Sequence, residues 1–135
     1  MNEMTASKGT KEEFALFFEN PSRENLRNAL KNQTGETDIV DFKKDWQDYP
    51  RMAHLILGLA NSGGGCIVLG VAENSDRTYD PTGITDFKDQ AVIKDSFKKY
   101  LPSNLLSNYK VLNFSFEDSE YPEIIGKKFQ VSKPV

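Results

Sequence analysis

The chain has one cysteine and one histidine among its 135 residues. A lone cysteine closes no intramolecular disulfide, and with a lone histidine it leaves no ligand set for a zinc site of the usual kind. Cys66 lies within an apolar run and reads as a small core residue in a reducing cytoplasm. Long hydrophobic runs are also missing. The longest is broken by Gly70 and is far too short to span a bilayer, so no membrane association is expected. Met1 to Thr10 lacks the basic-then-apolar order of a secretion signal. Positive charge is not in excess: 17 Lys and Arg against 20 Asp and Glu give a net charge of −3. That balance argues against indiscriminate nucleic-acid binding and leaves room for a local basic face.

What the chain does have is a sharp switch of pattern at its centre. Met52, Leu55, Ile56 and Leu59 recur at helical spacing, and the Asn61-Ser62-Gly63-Gly64-Gly65 turn leads directly into the apolar strand Cys66 to Val71. The glycines therefore close a helix, where they supply the positive φ that reverses the chain. A phosphate-cradling loop has the opposite order, with a strand before it and a helix N-terminus after it. No Gly-Lys-Ser/Thr follows here, which argues against a mononucleotide P-loop.

The remaining elements follow from caps, breakers and periodicity. Residues 1 to 20 read as a tail and a short helix, opened by the capping-box spacing of Thr10 and Glu13 ahead of Phe14, Leu16, Phe17 and Phe18. Residues 21 to 135 form one domain. A helix from Asn20-Pro21 or Ser22 carries Leu26, Ala29 and Leu30, and Asn32 to Gly35 ends it. Thr37 to Lys43 is a strand with Val40 and Phe42 on one face and Ile39, Asp41 and Lys43 on the other. Pro50 starts the helix that runs through Leu59, and Asn74 to Gly83 is a polar loop. Thr85 and Asp86 are expected to cap a further helix with Phe87, Ala91, Phe97 and Leu101 inward, stopped by Pro102. Leu112, Phe114 and Phe116 alternate, Glu117 to Pro122 turns, and Ile124 to Val131 returns. The order α-α-β-α-β-α-β-β gives an α+β fold, a mixed β-sheet covered by helices. The stop just past Ser132-Lys133 suggests a fragment of a longer protein.

Three segments together carry a resemblance. They are Glu36 to Lys43, Leu57 to Gly65, and Val68-Leu69-Gly70-Val71-Ala72-Glu73, with Gly83-Ile84 and Gly126 to Val131 in support. This combination resembles the Schlafen-type AlbA-like domain over residues 22 to 133. The resemblance implies an Alba-like α+β fold in a cytoplasmic, bacterial-type DNA-binding module of a transcriptional regulator or ATPase-like protein. In related animal Schlafen domains it implies metal-dependent cleavage of structured RNA. One position departs: where the ribonuclease members carry Asp after Gly-Val, this chain has Ala72, with Glu73 one step later. Such a shift turns a strand side chain to the opposite face.

The candidate chemistry centres on Asp41 and Lys43, which share a strand face. With Glu36 and Glu73 they form a candidate catalytic set. The carboxylates of Glu36, Asp41 and Glu73 are candidate ligands for Mg²⁺ or Mn²⁺, which prefer oxygen donors. The alternative for Asp41 and Lys43 is a surface ion pair worth well under ~1 kcal/mol. Candidate phosphate contacts are Lys43, Lys44, Arg51, Arg77, Lys94, Lys98 and Lys99, with Lys127 and Lys128 in the closing hairpin. Glu117, Asp118, Glu120 and Glu123 would repel phosphate, so the hairpin tip is not the expected contact. His54 reads as a packed or surface histidine, and Trp46, Tyr49 and Tyr100 as packing residues before stacking ones. The leading expectation is a nucleic-acid-binding module, for DNA or RNA. A divalent-metal-dependent nuclease is the alternative, and a protein-interaction domain, such as a homodimer, the third reading.

Overall fold

A computed structural model describes residues 17, 19–31, 40–76, 78–117 and 121–134. The Thr10–Glu13 capping box, the 32–35 breaker and residues 37–39 lie outside them. Within the described residues the helix α1 spans Arg23–Lys31, and the Asn25 N–H donates to Ser22 Oγ at 3.1 Å as an N-terminal cap. Strand β1 (Val40–Lys43) and helix α2 (Tyr49–Asn61) follow. Asp48 caps α2 by accepting from the Arg51 N–H at 2.9 Å, and Pro50 fits the first turn, where no intrahelical N–H is needed. At its other end the Gly64 N–H donates to the Leu59 carbonyl at 2.9 Å, while Gly63 has φ +98°. This is the helix-closing glycine turn that the sequence pattern predicts.

Strand β2 (Cys66–Leu69) is buried on both faces. It pairs with β1 in parallel and with β6 (Lys127–Lys133) antiparallel, and β6 pairs antiparallel with β5 (Lys110–Phe116). The resulting sheet has the order β1-β2-β6-β5, so β1 and β5 are its edges. Alternation divides the core in two. Val40, Phe42, Cys66, Val68, Phe129, Val131, Phe114 and Phe116 pack under α1 and Phe17. Ile67, Leu69 and Val111 pack under Met52, Ala53 and Ile56 of α2 and under the two helices that precede β5. The fold is α+β, with helices on both faces of a mixed sheet.

Several local expectations change. The predicted polar loop from Asn74 forms the turn and second strand of a small hairpin, β3 (Ala72–Glu73) and β4 (Tyr79–Asp80), with the Asn74 N–H donating to the Thr78 carbonyl across it. Helix α3 is Gln90–Phe97, and its cap is Asp89, whose carboxylate accepts from the N–H groups of Ala91 and Val92; Thr85 and Asp86 lie upstream. Ala91 is exposed and Ile93 is buried, so the inward face of α3 runs through Ile93 and Phe97, one turn apart. The helix ends at Phe97, short of Leu101 and of the expected stop at Pro102, and a short helix α4 (Ser103–Asn108) follows that proline. A 3₁₀ turn at Pro122–Ile124 leads into β6.

Candidate functional site

The side chains of Asp41 and Lys43 project from β1 on the α2 side of the sheet, opposite Ile67 and Leu69 in register. Helix α2 covers those two β2 residues with Met52, Ala53 and Ile56. It leaves the corresponding face of the edge strand open at its flank. The result is a groove between β1 and α2. One hollow of about 530 Å³ is lined by Asp41 and Lys43 and by His54, Leu55, Gly58 and Ser62 of the helix. A neighbouring hollow of about 420 Å³ continues it along Lys43, Gln47, Arg51 and His54. Arg51, His54, Leu55, Gly58 and Ser62 form one stripe at helical spacing, on the side of α2 away from its buried residues.

Charge in the groove is unevenly satisfied. Lys43 Nζ donates to Asp41 Oδ1 at 3.1 Å, and the two side chains are 25% and 19% exposed. The other oxygen, Asp41 Oδ2, is buried and has no hydrogen-bond partner. A buried acceptor without a donor is a costly arrangement that is seldom left standing. Gly58 adds a second feature: a Cβ there would meet nothing within 4 Å. A glycine inside a helix costs roughly 0.5–1 kcal/mol relative to alanine, and here it keeps the groove wall low.

The other candidates are scattered. Arg51 lines the groove, whereas Lys44 is exposed on the loop after β1 and does not line it. Glu73 is exposed on β3, where its Oε2 accepts from the Tyr79 hydroxyl at 3.1 Å. Glu36 and Arg77 lie outside the described residues. Lys94 is half-buried on α3; Lys98 and Lys99 are exposed past its end, with Lys98 paired to Asp95 at 3.3 Å. None of the three lines the groove. Lys128 sits over the Phe87 ring at 5.6 Å. Trp46 and Tyr49 pack on the second core, Tyr49 edge-on to Phe97, while Tyr100 is exposed.

Among the described residues no three His, Cys, Asp or Glu side chains are grouped to hold a metal ion. Asp41 offers one free oxygen, and its other oxygen already faces an ammonium group. The described donor set therefore does not make a divalent-cation site.

Sequence reasoning passed over His54 and Ser62 as site residues, although their spacing from Gly58 and Arg51 marks a single stripe. It also passed over Gln130, a wholly buried amide in β6, because no pattern distinguishes such a residue from a solvent-facing strand position. Cys66 is inert: burial pushes its thiol from 9.0 up to about 12, only slightly opposed by nearby Lys133.

No helix of the described residues is long and apolar enough to cross a membrane. No curated protein and no solved structure matches the chain. The sequence model of the family described as Schlafen, AlbA_2 matches residues 36–131, which begins ahead of β1, ends within β6 and takes in every groove residue. That family points to a nucleic-acid-related domain. With a match over most of its length, the chain belongs to the Schlafen AlbA_2 family.

Proposed function

We propose that the domain binds nucleic acid in the groove between β1 and α2, as a module of a transcriptional regulator or ATPase-like protein. The observation that carries this reading is the clustering of Lys43, Arg51 and His54 along one groove in a chain of net charge −3. Lys43 and Arg51 contact phosphate, Lys44 supplements them from the loop, and Leu55 and Pro50 supply apolar wall. Two or three phosphate contacts give weak binding, with a salt slope of about −2 to −3 on a double-logarithmic plot. Glu117 and Glu123, which flank the turn after β5 on the sheet edge opposite β1, repel the backbone from that side.

A second reading, a metal-dependent nuclease, draws on the free buried oxygen Asp41 Oδ2. Of its expected residues Asp41 and Lys43 meet in the groove, Glu73 is held on β3 by Tyr79, and the described donors alone do not hold Mg²⁺ or Mn²⁺.

One experiment separates the two. Labelled structured RNA and duplex DNA are incubated with the chain, with Mg²⁺ or Mn²⁺ and then with chelator, and resolved on native and denaturing gels. Shifted, intact nucleic acid that is lost in Lys43→Glu or Arg51→Glu supports the binding module. Metal-dependent fragments absent in Asp41→Ala establish the nuclease. Neither signal at low salt overturns both and moves the assignment to a protein partner, including a second copy of the chain.

A further inference from the structure

We infer that Gln130 is a positioning residue for the groove: it fixes the β1–α2 loop through Trp46, a role that rests on the nucleic-acid reading above. Gln130 is wholly buried in β6, on the sheet face beneath α2 and α3. A primary amide carries two donor hydrogens and an oxygen with two lone pairs. All four are used. Oε1 accepts from Trp46 Nε1 at 2.8 Å and from the Lys88 N–H at 3.1 Å. Nε2 donates to the Lys88 carbonyl at 2.9 Å and to Asn113 Oδ1 at 2.8 Å. The amide thus clasps the backbone of Lys88 on both sides while it holds the indole of Trp46.

The held segment is the one that shapes the groove. Trp46 lies midway between Lys43 and the Asp48 cap, on the loop that carries Lys44 and Gln47 and delivers α2 with Arg51. A second brace acts on the same place. Lys88 Nζ sits 5.9 Å from the Trp46 ring centroid and 5.2 Å from that of Tyr49, the first residue of α2. An apolar side chain at position 130 would fill the same volume. What only the amide supplies is direction, because it sets where the indole and the Lys88 backbone lie. A loop fixed in this way presents its cations without the ordering cost that a mobile loop adds to binding.

Trp46 is the single tryptophan of the chain, so its emission reports on this loop alone. Two variants each remove a Gln130 hydrogen bond, but only one releases the loop. Gln130→Met frees Trp46 and Lys88, whereas Asn113→Ala deletes the bond on the sheet side. Emission, urea midpoint and the Kd for a labelled RNA hairpin are measured for both and for the unaltered chain. Gln130→Met loses all four amide hydrogen bonds and is expected to red-shift the emission and weaken binding about tenfold, because the loop must then be ordered on binding. Asn113→Ala is expected to lower the midpoint with emission and Kd unchanged. If Gln130→Met fails to fold, Trp46→Phe removes the indole donor alone and is expected to weaken binding at a near-normal midpoint. Unchanged Kd and emission in Gln130→Met, unchanged Kd in Trp46→Phe, or an equal loss of affinity in Asn113→Ala, overturns the role while binding by the unaltered chain still stands. An unaltered chain that retains no RNA overturns the groove reading, and this role with it.

Discussion

Gly70 and Gly83 meet backbone to backbone. The Gly83 N–H donates to the Gly70 carbonyl at 2.8 Å, and a Cβ on Gly70 would lie 3.1 Å from Gly83 Cα and 2.8 Å from Phe129 Cδ1. Both glycines have positive φ, +112° and +76°. The contact joins the end of β2 to the chain returning toward β6, where the Ile84 N–H donates to the Lys128 carbonyl at 2.8 Å. Gly70→Ala therefore combines backbone strain with overlap that the sheet cannot relieve, and should destabilise the fold by about 2–4 kcal/mol. Gly126 is the control. It has φ +78° with nothing within 4 Å of a Cβ, so Gly126→Ala should cost only about 1 kcal/mol. Urea unfolding of the two variants checks the difference. Equal losses would mean that the close approach contributes nothing.

Gly58 should behave in the opposite sense. It is a mid-helix residue of α2 with open space above it, so Gly58→Ala is expected to stabilise the protein by roughly 0.5–1 kcal/mol. That space is the groove itself. A longer side chain, as in Gly58→Gln, should keep most of the helix gain and obstruct the ligand, weakening nucleic-acid retention at least several-fold. Thermal unfolding with a parallel gel-shift titration reads both effects. A Gly58→Gln protein that binds as well as the unaltered chain would place the ligand elsewhere.

Stability should fall in alkali above pH 9. The Cys66 thiol is held at about 12 by burial against 9.0 when exposed, so above pH 9 the unfolded chain loses a proton that the folded chain keeps. The unfolded state is then favoured by at most about 1.4 kcal/mol per pH unit, up to the folded value. Tyr121, raised from 10.0 to about 12 by burial and by its hydrogen bond to Glu123, adds a smaller effect of the same sign. Tyr109, buried and sharing a 2.6 Å hydrogen bond with Ser132 Oγ, is also raised. Cys66→Ala should flatten the decline between pH 9 and 11 in denaturant titrations. An unchanged slope would remove Cys66 as its cause.

The central elements were legible because their signals were local. Pro50, the Ser62–Gly65 turn and the two-faced apolar β2 each announce themselves within a few residues. The α1 cap at Ser22 and the face assignment of Val40, Asp41, Phe42 and Lys43 are of the same kind. What stayed hidden depends on distant partners. Asp89 displaces Thr85 and Asp86 as the α3 cap because residues 84–88 are engaged elsewhere: Ile84 bridges to Lys128, and Lys88 is clasped by Gln130. The β3–β4 hairpin is two residues per strand, below any periodic signal. The groove was half visible, since Asp41 and Lys43 were readable as neighbours. Its other wall required knowing that α2 leaves the β1 flank uncovered.

The Asp41–Lys43 pair offers the sharpest test of what the groove is for. Lys43 partners Asp41 Oδ1, while Asp41 Oδ2 is buried without a donor. Removing the lysine leaves both carboxylate oxygens unpaired in a partly buried position, so Lys43→Ala should cost about 1–3 kcal/mol. Removing the aspartate takes away the unsatisfied oxygen along with the pair, so Asp41→Ala should fall within about 1 kcal/mol of the unaltered chain. The double variant should then be more stable than Lys43→Ala alone, a coupling that a double-mutant cycle measures directly. Function divides on the same two residues. If the groove binds phosphate, Lys43→Ala weakens retention, while Asp41→Ala preserves or strengthens it by removing a negative charge from the path of the backbone. If Asp41 serves cleavage, Asp41→Ala abolishes fragments while retention survives, at a stability cost too small to explain the loss.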